Sequence, residues 1–314
     1  MGIEIPTMTY SGSIKTVAVA GAKGFTLGGE TALPFYTFEG KIPNPPKVAV
    51  EINDIPPKEW APALVAKWGD VLNDPVAWAK KAEQEFGAEL IHLELVGVDP
   101  NGENLSPEHA VDVVKKVAAA ISVPLCVWGC ANQPKDMEVL RAVAAAVTDR
   151  QLLIGPIQDE NYKQLGAGVI GYNHIAIASS PIDINLAKQL NILLGNLGVP
   201  DSRIVIDPTT GGLGYGLEYS YSVMERARMA ALAQQDEKLQ YPLYCNLGKE
   251  VWKTKEAKLS AQDAPELGDP EKRGILMEAI TATAVLSTGA DVVVLRHPET
   301  IRLVRQLLND LLGT

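Results

Sequence analysis

The residues best able to touch a ligand form one run, Asp207-Pro208-Thr209-Thr210-Gly211-Gly212-Leu213-Gly214-Tyr215-Gly216. Four glycines in its last six positions let backbone amides and carbonyls approach a ligand face closely. The run is also longer than a bare connection needs. It is no dinucleotide fingerprint, because Leu217 stands where a third glycine is required, and no phosphate loop, because no P-loop lysine follows. The plainer alternative is a flexible turn leading into a helix from Glu218. Asp54, Asp99 and Asp207 could transfer protons or hold a heterocycle by hydrogen bonds, or could simply cap turns. His297 beside Arg296 could meet an anion, or could be a solvated cap on a helix that begins at Pro298. His92 and His174 fall inside apolar runs and read as satisfied core histidines. Cys126, Cys130 and Cys245 are too few for a disulfide framework and one short of the four thiolates that usually hold an iron-sulfur cluster, which leaves buried reduced thiols. No lysine ends an apolar run, so a Schiff-base aldolase is poorly supported, and no histidine spacing suggests a metal centre.

These residues are carried by a repeated grammar: a short β-branched run, a loop of glycine, asparagine, serine or proline, a capping residue before proline, then an amphipathic stretch. Asp74-Pro75, Ser106-Pro107, Ser180-Pro181 and Asp269-Pro270 mark four helix starts. Ser180 with Asp183 resembles a capping box, and Leu186, Leu190, Leu193 and Leu197 recur on one helical face. Strands are expected at Val48 to Ile52, Leu90 to Leu95, Pro124 to Trp128, Leu152 to Ile154, His174 to Ala178, Arg203 to Ile206, Pro242 to Cys245 and Val292 to Leu295. Each is near-continuously apolar, as strands covered on both faces should be. Eight alternating units over roughly 260 residues match an α/β fold of the (β/α)8 TIM barrel type, whose ligands meet the loops after the strands. Residues 47–314 form that barrel. Residues 1–46 are an extension and linker in which Ile14 to Ala20 and Phe25 to Leu27 make a β-hairpin, closing the barrel bottom or serving a partner.

The 314 residues are 46% apolar, enough for a sizeable core, and 28 Lys plus Arg against 38 Asp plus Glu give a formal charge of −10. That sign disfavours nucleic acid. No apolar stretch approaches the roughly 18 residues of a membrane span, and Glu4 without Lys or Arg in the first ten residues is not a basic leader. A cytoplasmic address and no membrane partner are the expectation.

Several strings resemble one family. Ala32-Leu33-Pro34-Phe35 with Phe38-Glu39-Gly40, Glu160-Asn161-Tyr162-Lys163, Ser180-Pro181-Ile182-Asp183-Ile184-Asn185, Asp207 to Tyr219 and Arg296-His297-Pro298-Glu299 are similar to the small (delta-type) subunit of the corrinoid iron-sulfur protein. That protein serves the acetyl-CoA decarbonylase/synthase system of the reductive acetyl-CoA (Wood-Ljungdahl) pathway, a route of carbon fixation. The resemblance runs nearly end to end, and the length looks like the shorter, bacterial form. It implies a heterodimeric methyl carrier. The carrier takes a methyl group from methyltetrahydrofolate through a separate methyltransferase, delivers it to acetyl-CoA synthase, and is rescued by a reductive activator. It also implies that the large subunit alone carries the [4Fe-4S] cluster, that the corrinoid (cobamide) is shared, and that this chain has no catalytic residue. None of the four histidines stands in the Asp-x-His-x-x-Gly arrangement that supplies a lower ligand to cobalt.

A protein facing Co(I) must cover it without ligating it. Glycine-rich backbone and short amide or hydroxyl side chains suit that task, because they hydrogen-bond the amide fringe of the disc. Thr209, Gly211, Gly212, Gly214 and Tyr215, with Asn53, Asn132 and Asn185, are the expected cap residues, although Asn185 could instead serve its helix. Pro34, Phe35 and Phe38 are expected at the interface with the large subunit. Two rival readings stay open. One is a pterin-dependent methyltransferase whose Asp54, Asp99 and Asp207 hold the ring; the other is a structural scaffold that never touches the cofactor.

Overall fold

The computed structural model describes residues 6–214 and 216–313, and among these eight parallel strands close into a barrel. The hairpin strands are β1 (Val17–Val19) and β2 (Phe25–Leu27). The barrel strands are β3 (Lys47–Asn53), β4 (Leu90–Glu94), β5 (Leu125–Trp128), β6 (Leu152–Ile157), β7 (Ile175–Ser179), β8 (Ile204–Asp207), β9 (Leu243–Asn246) and β10 (Ala290–Leu295). They pair in chain order, and β10 closes on β3. The expected strands are all present, most shifted by one or two residues. The largest difference is β6, which runs past Gly155-Pro156 because the register with β7 shifts between Ile154 and Ile157. A bulge is where a strand tolerates proline.

Around the barrel lie α1 (Pro62–Trp68), α2 (Pro75–Gln84), α3 (Pro107–Ala120), α4 (Gln133–Ala146), α5 (Tyr162–Gly171) and α6 (Ile184–Leu197). They are followed by α7 (Leu217–Ala233), α8 (Gly248–Lys253), α9 (Lys255–Lys258), α10 (Pro270–Ser287) and α11 (Pro298–Leu312). Asp74 and Asp269 cap α2 and α10 through their carboxylates, and Ser106 precedes α3 without a side-chain cap bond. Ser180-Pro181 does not start a helix. Ile182 there takes a left-handed φ of 48°, the chain turns once more, and Asp183 accepts from the amides of Asn185 and Leu186 to open α6. The buried face of α6 is correspondingly Ala187, Leu190, Asn191 and Leu194, while Leu186 is exposed.

Alternation along each strand divides the core. Val48, Val50 and Ile52 of β3 pack outward against the helices, while Ala49 joins Leu90, Leu153, Ile175, Val205, Tyr244 and Val292 inside. The hairpin contributes Val17, Val19 and Leu27 to this inner cluster and so plugs the bottom of the barrel. Glu30 fixes the same segment. Burial pushes its carboxyl up to about 9, Asp291 adds to this, and Asp291 in turn pairs with Arg228.

Candidate functional site

The inner face changes character toward the strand ends. Above the apolar plug the inward positions are Glu51 and Asn53 of β3, His92 and Glu94 of β4, Trp128 of β5, Asp207 of β8 and Asn246 of β9, with Arg296 just past β10. All are buried. The strands are therefore not continuously apolar, and the mouth carries several ionisable side chains. Arg296 donates from Nε to Glu51 Oε2 at 2.8 Å and from Nη2 to Oε1, and the ring of Trp60 lies 4.7 Å from its guanidinium carbon. Lys249, in the first turn of α8, reaches across to Glu94. A lysine thus arrives at the mouth from the helix after a strand rather than from the strand itself.

Charge pairing sets the protonation of this layer. Burial alone would raise Glu94, but Lys249 and then Arg296 hold it down at about 2. Burial pushes Glu51 up to about 7 against the pull of Arg296. Lys249 is raised by Glu94 despite its burial, so it is an ammonium ion and not an amine nucleophile. His92 is driven down to about 3 by burial. Its Nδ1 lies 2.7 Å from Tyr244 Oη, and its Nε2 lies 3.3 Å from Asn246 Nδ2. Trp128 of the adjacent β5 lies beside His92, ring centroids 5.3 Å apart, and is stacked on Tyr244 with centroids 6.1 Å apart. Gly155 makes room for it, since a Cβ there would meet Trp128 Cζ3 at 2.7 Å.

A cavity of about 440 Å3 remains open on the β3, β4 and β10 side, with Asn53, Glu94, Lys249, Arg296 and Trp60 in its lining. Asn53 Oδ1 and Glu94 Oε2 are buried and have no hydrogen-bond partner among the described residues; the same is true of Asn246 Oδ1 and Ser180 Oγ nearby.

The glycine-rich run follows β8 at the same end of the barrel. Asp207 accepts from Ser179 Oγ at 2.8 Å and from the Thr209 amide at 2.9 Å, and burial pushes it up to about 6. Thr209 sits at a left-handed φ of 60°, and its hydroxyl donates to the Ser180 carbonyl. Thr210 donates to the Asn246 carbonyl. Gly211, Gly212 and Gly214 belong to the 3-10 turn that follows (Gly211–Gly214), packed between α7 and α8. Tyr215 lies outside the described residues. Of the expected asparagines, Asn53 lines the cavity. Asn132 is the N-cap of α4, accepting from the Lys135 amide. Asn185 is exposed in a groove between α6 and α7 beside Lys188 and Arg226, away from the mouth.

The three aspartates serve separate neighbours. Asp54 accepts from the Gly97 amide at 2.9 Å and lies 3.2 Å from His109 Nε2, Asp207 is held as above, and Asp99 alone lines the cavity. His297 does cap α11, accepting from the Glu299 amide, but it is fully buried against Trp252 rather than solvated. His174 is satisfied by the Leu152 amide and the Ala144 carbonyl. Cys126 points into the barrel, Cys245 packs on the helix side, and Cys130 is half-buried in a loop, so the thiols share no face.

Against known proteins, a family model described as CO dehydrogenase/acetyl-CoA synthase delta subunit matches residues 16–308. The chain belongs to that family. Among the relatives of this delta-family chain, the acetyl-CoA decarbonylase/synthase complex subunit delta of Archaeoglobus fulgidus is 33% identical over 97% of the chain and 70% of the relative. The subunit of the same name from Methanothermobacter thermautotrophicus is 34% identical over 96% of the chain and 77% of the relative. Among solved structures, a dihydropteroate synthase of Xanthomonas albilineans with 4-aminobenzoic acid superposes with a TM-score of 0.59 at 14% identity, covering 95% of this chain and 98% of that one. The 7,8-dihydropteroate synthase of Vibrio fischeri gives 0.58 at 12%, covering 88% and 96%. At such identity the likeness is one of fold, the TIM barrel. No helix among the described residues is long and apolar enough to cross a membrane.

Proposed function

We propose that this delta-family chain is the non-catalytic small subunit of a corrinoid methyl carrier and that its barrel mouth covers the corrinoid. The observation that carries the reading is a set of buried hydrogen-bonding atoms at the mouth that have no partner among the described residues. Asn53 Oδ1, Asn246 Oδ1 and Ser180 Oγ lack partners, and the amide fringe of a corrinoid offers N–H donors to such atoms. Both ring nitrogens of His92 are engaged, and the Cys126 thiol is sealed in the barrel with its ionisation pushed up to about 12 by burial. A fully buried His297 stacks on Trp252.

When bound, the corrinoid supplies a cobalt that accepts and releases a methyl group. The chain's own residues bind and screen. The turn from Gly211 to Gly214 brings backbone close to the disc, Thr209 and Asp207 hold that turn in place, and Asn53 meets the fringe. The cofactor is shared with a large subunit that also holds the [4Fe-4S] cluster. A polar, weakly held cap lets methyltetrahydrofolate methyltransferase, acetyl-CoA synthase and the reductive activator take turns at the cobalt. The relatives' names, subunits of an acetyl-CoA decarbonylase/synthase complex, support assembly of this kind.

The pair formed with the large subunit tests the reading. Gly212→Leu and Gly214→Leu are expected to lower corrinoid occupancy of the purified pair several-fold, read from its absorbance. Full occupancy in both variants, or loss of no corrinoid when this chain is omitted, would overturn the cap.

A further inference from the structure

The cavity on the β3–β4 side of the mouth has its own chemistry. Asn53 and Glu94 are register partners on adjacent parallel strands, so their side chains stand next to each other at roughly the 4.8 Å interstrand spacing. Asn53 is 4% exposed and Glu94 0%. Both residues line the same cavity, and each has a buried oxygen with no donor among the described residues. A buried acceptor left unpaired is costly unless something brings it a hydrogen.

What brings it must be neutral. Glu51 and Glu94 are each paired with a cation, Arg296 and Lys249, and Asp207 in the same buried layer is held by the Ser179 hydroxyl and the Thr209 amide. A further cation or anion would leave that layer with an unbalanced buried charge. An anion would in addition face two acceptor oxygens. Lys249 has spent one of its three N–H bonds on Glu94, which leaves hydrogens for an incoming carbonyl.

We propose that this cavity is a subsite for a neutral primary carboxamide or an amino-substituted cyclic amide, whose two N–H groups lie between Asn53 Oδ1 and Glu94 Oε2 and whose carbonyl oxygen faces Lys249 Nζ. The inference rests on the corrinoid reading for its first source, an amide arm at the edge of the disc. A free cyclic amide of the pterin kind carries the same donor edge and is the second source.

Three ligands separate the possibilities on the corrinoid-free pair: cobinamide, the corresponding corrinoid with its amides hydrolysed to carboxylates, and tetrahydrofolate. Corrinoids are titrated by absorbance and tetrahydrofolate by calorimetry. The parent is expected to bind cobinamide at least tenfold more tightly than the carboxylate form. Asn53→Leu is expected to weaken cobinamide about tenfold, the worth of one lost hydrogen bond. Its melting temperature should hold or rise, because an unpaired buried carbonyl is removed; a purely structural Asn53 would instead lower the melting temperature and leave the affinity unchanged. Equal binding of amide and carboxylate forms, or an Asn53→Leu affinity equal to the parent's, overturns the subsite and leaves the cap standing. Failure of both corrinoids to bind overturns the cap. In that case tetrahydrofolate binding that Asn53→Leu abolishes sustains the amide subsite with the free ligand as its source, and no binding of any of the three overturns it.

Discussion

At the scale of single residues, His92 shows how burial and partners fix a protonation state. Its folded value of about 3 lies below the ordinary 6.5, so the unfolded chain takes up a proton that the folded chain refuses. The contribution to stability is present above pH 6.5 and is lost as pH falls toward 3. Between pH 6.5 and 5 the loss amounts to about 2 kcal/mol, at about 1.4 kcal/mol per unit. The stability difference between the parent and His92→Gln, measured by urea unfolding at pH 7 and pH 5, should narrow by that amount; parallel pH curves would refute it. The Glu51–Arg296 and Glu94–Lys249 pairs escape a reading of sequence for a related reason. In Val-Ala-Val-Glu-Ile-Asn and Leu-Ile-His-Leu-Glu the polar residues sit at every second position, the signature of a polar inner face. The surrounding β-branched residues mask it. Lys249 carries no local signal at all, because its meeting with Glu94 depends on how β9 and β4 face each other across the closed barrel.

At the scale of elements, several helix starts are held by a single side chain, as at Asp74 and Asp269, and the start of α6 separates two candidates. Ser180-Pro181 has the form of a cap, yet Ser180 Oγ has no partner among the described residues, and Asp183 accepts from two amides. Asp183→Ala should cost about 1 kcal/mol, the usual worth of an N-cap. Ser180→Ala should cost nothing or stabilise, since a buried unpaired hydroxyl is removed. Chemical denaturation of both variants checks the assignment, and a larger loss in Ser180→Ala would reverse it. The strands, the hairpin and the three other proline-marked starts were legible because their signals are local. The α6 start was not, because the left-handed turn at Ile182 forms against Asp207 and Pro208 of the neighbouring loop, where the Ser180 amide donates to the Asp207 carbonyl and the Ile182 amide to the Pro208 carbonyl. The same holds for the expected cap residues. Asn53 lies where the strand pattern puts it, whereas Asn132 and Asn185 follow their helices.

At the scale of the whole molecule, the two surfaces assigned to partners lie at opposite ends of the barrel. The glycine-rich turn follows β8 at the mouth, whereas the N-terminal segment packs beside Arg228, Asp291 and Leu312 at the bottom. In that segment Phe35 is partly buried against the core, but Tyr36 is 46% and Phe38 60% exposed, with their rings 5.2 Å apart. A strand of about six residues separates the ends by roughly 20 Å. That exceeds the screening length of about 8 Å at physiological salt, so a charge placed at Phe38 is hardly felt at the mouth. Phe38→Asp adds no buried charge and should leave the melting temperature unchanged, while weakening assembly with the large subunit as judged by co-purification. Corrinoid bound per assembled pair should stay at the parent level. Gly212→Leu should do the reverse, keeping assembly and losing corrinoid. If Phe38→Asp lowered cofactor per pair, or Gly212→Leu broke the pair apart, the two ends could not be acting separately. One continuous interface spanning mouth and bottom would then be required.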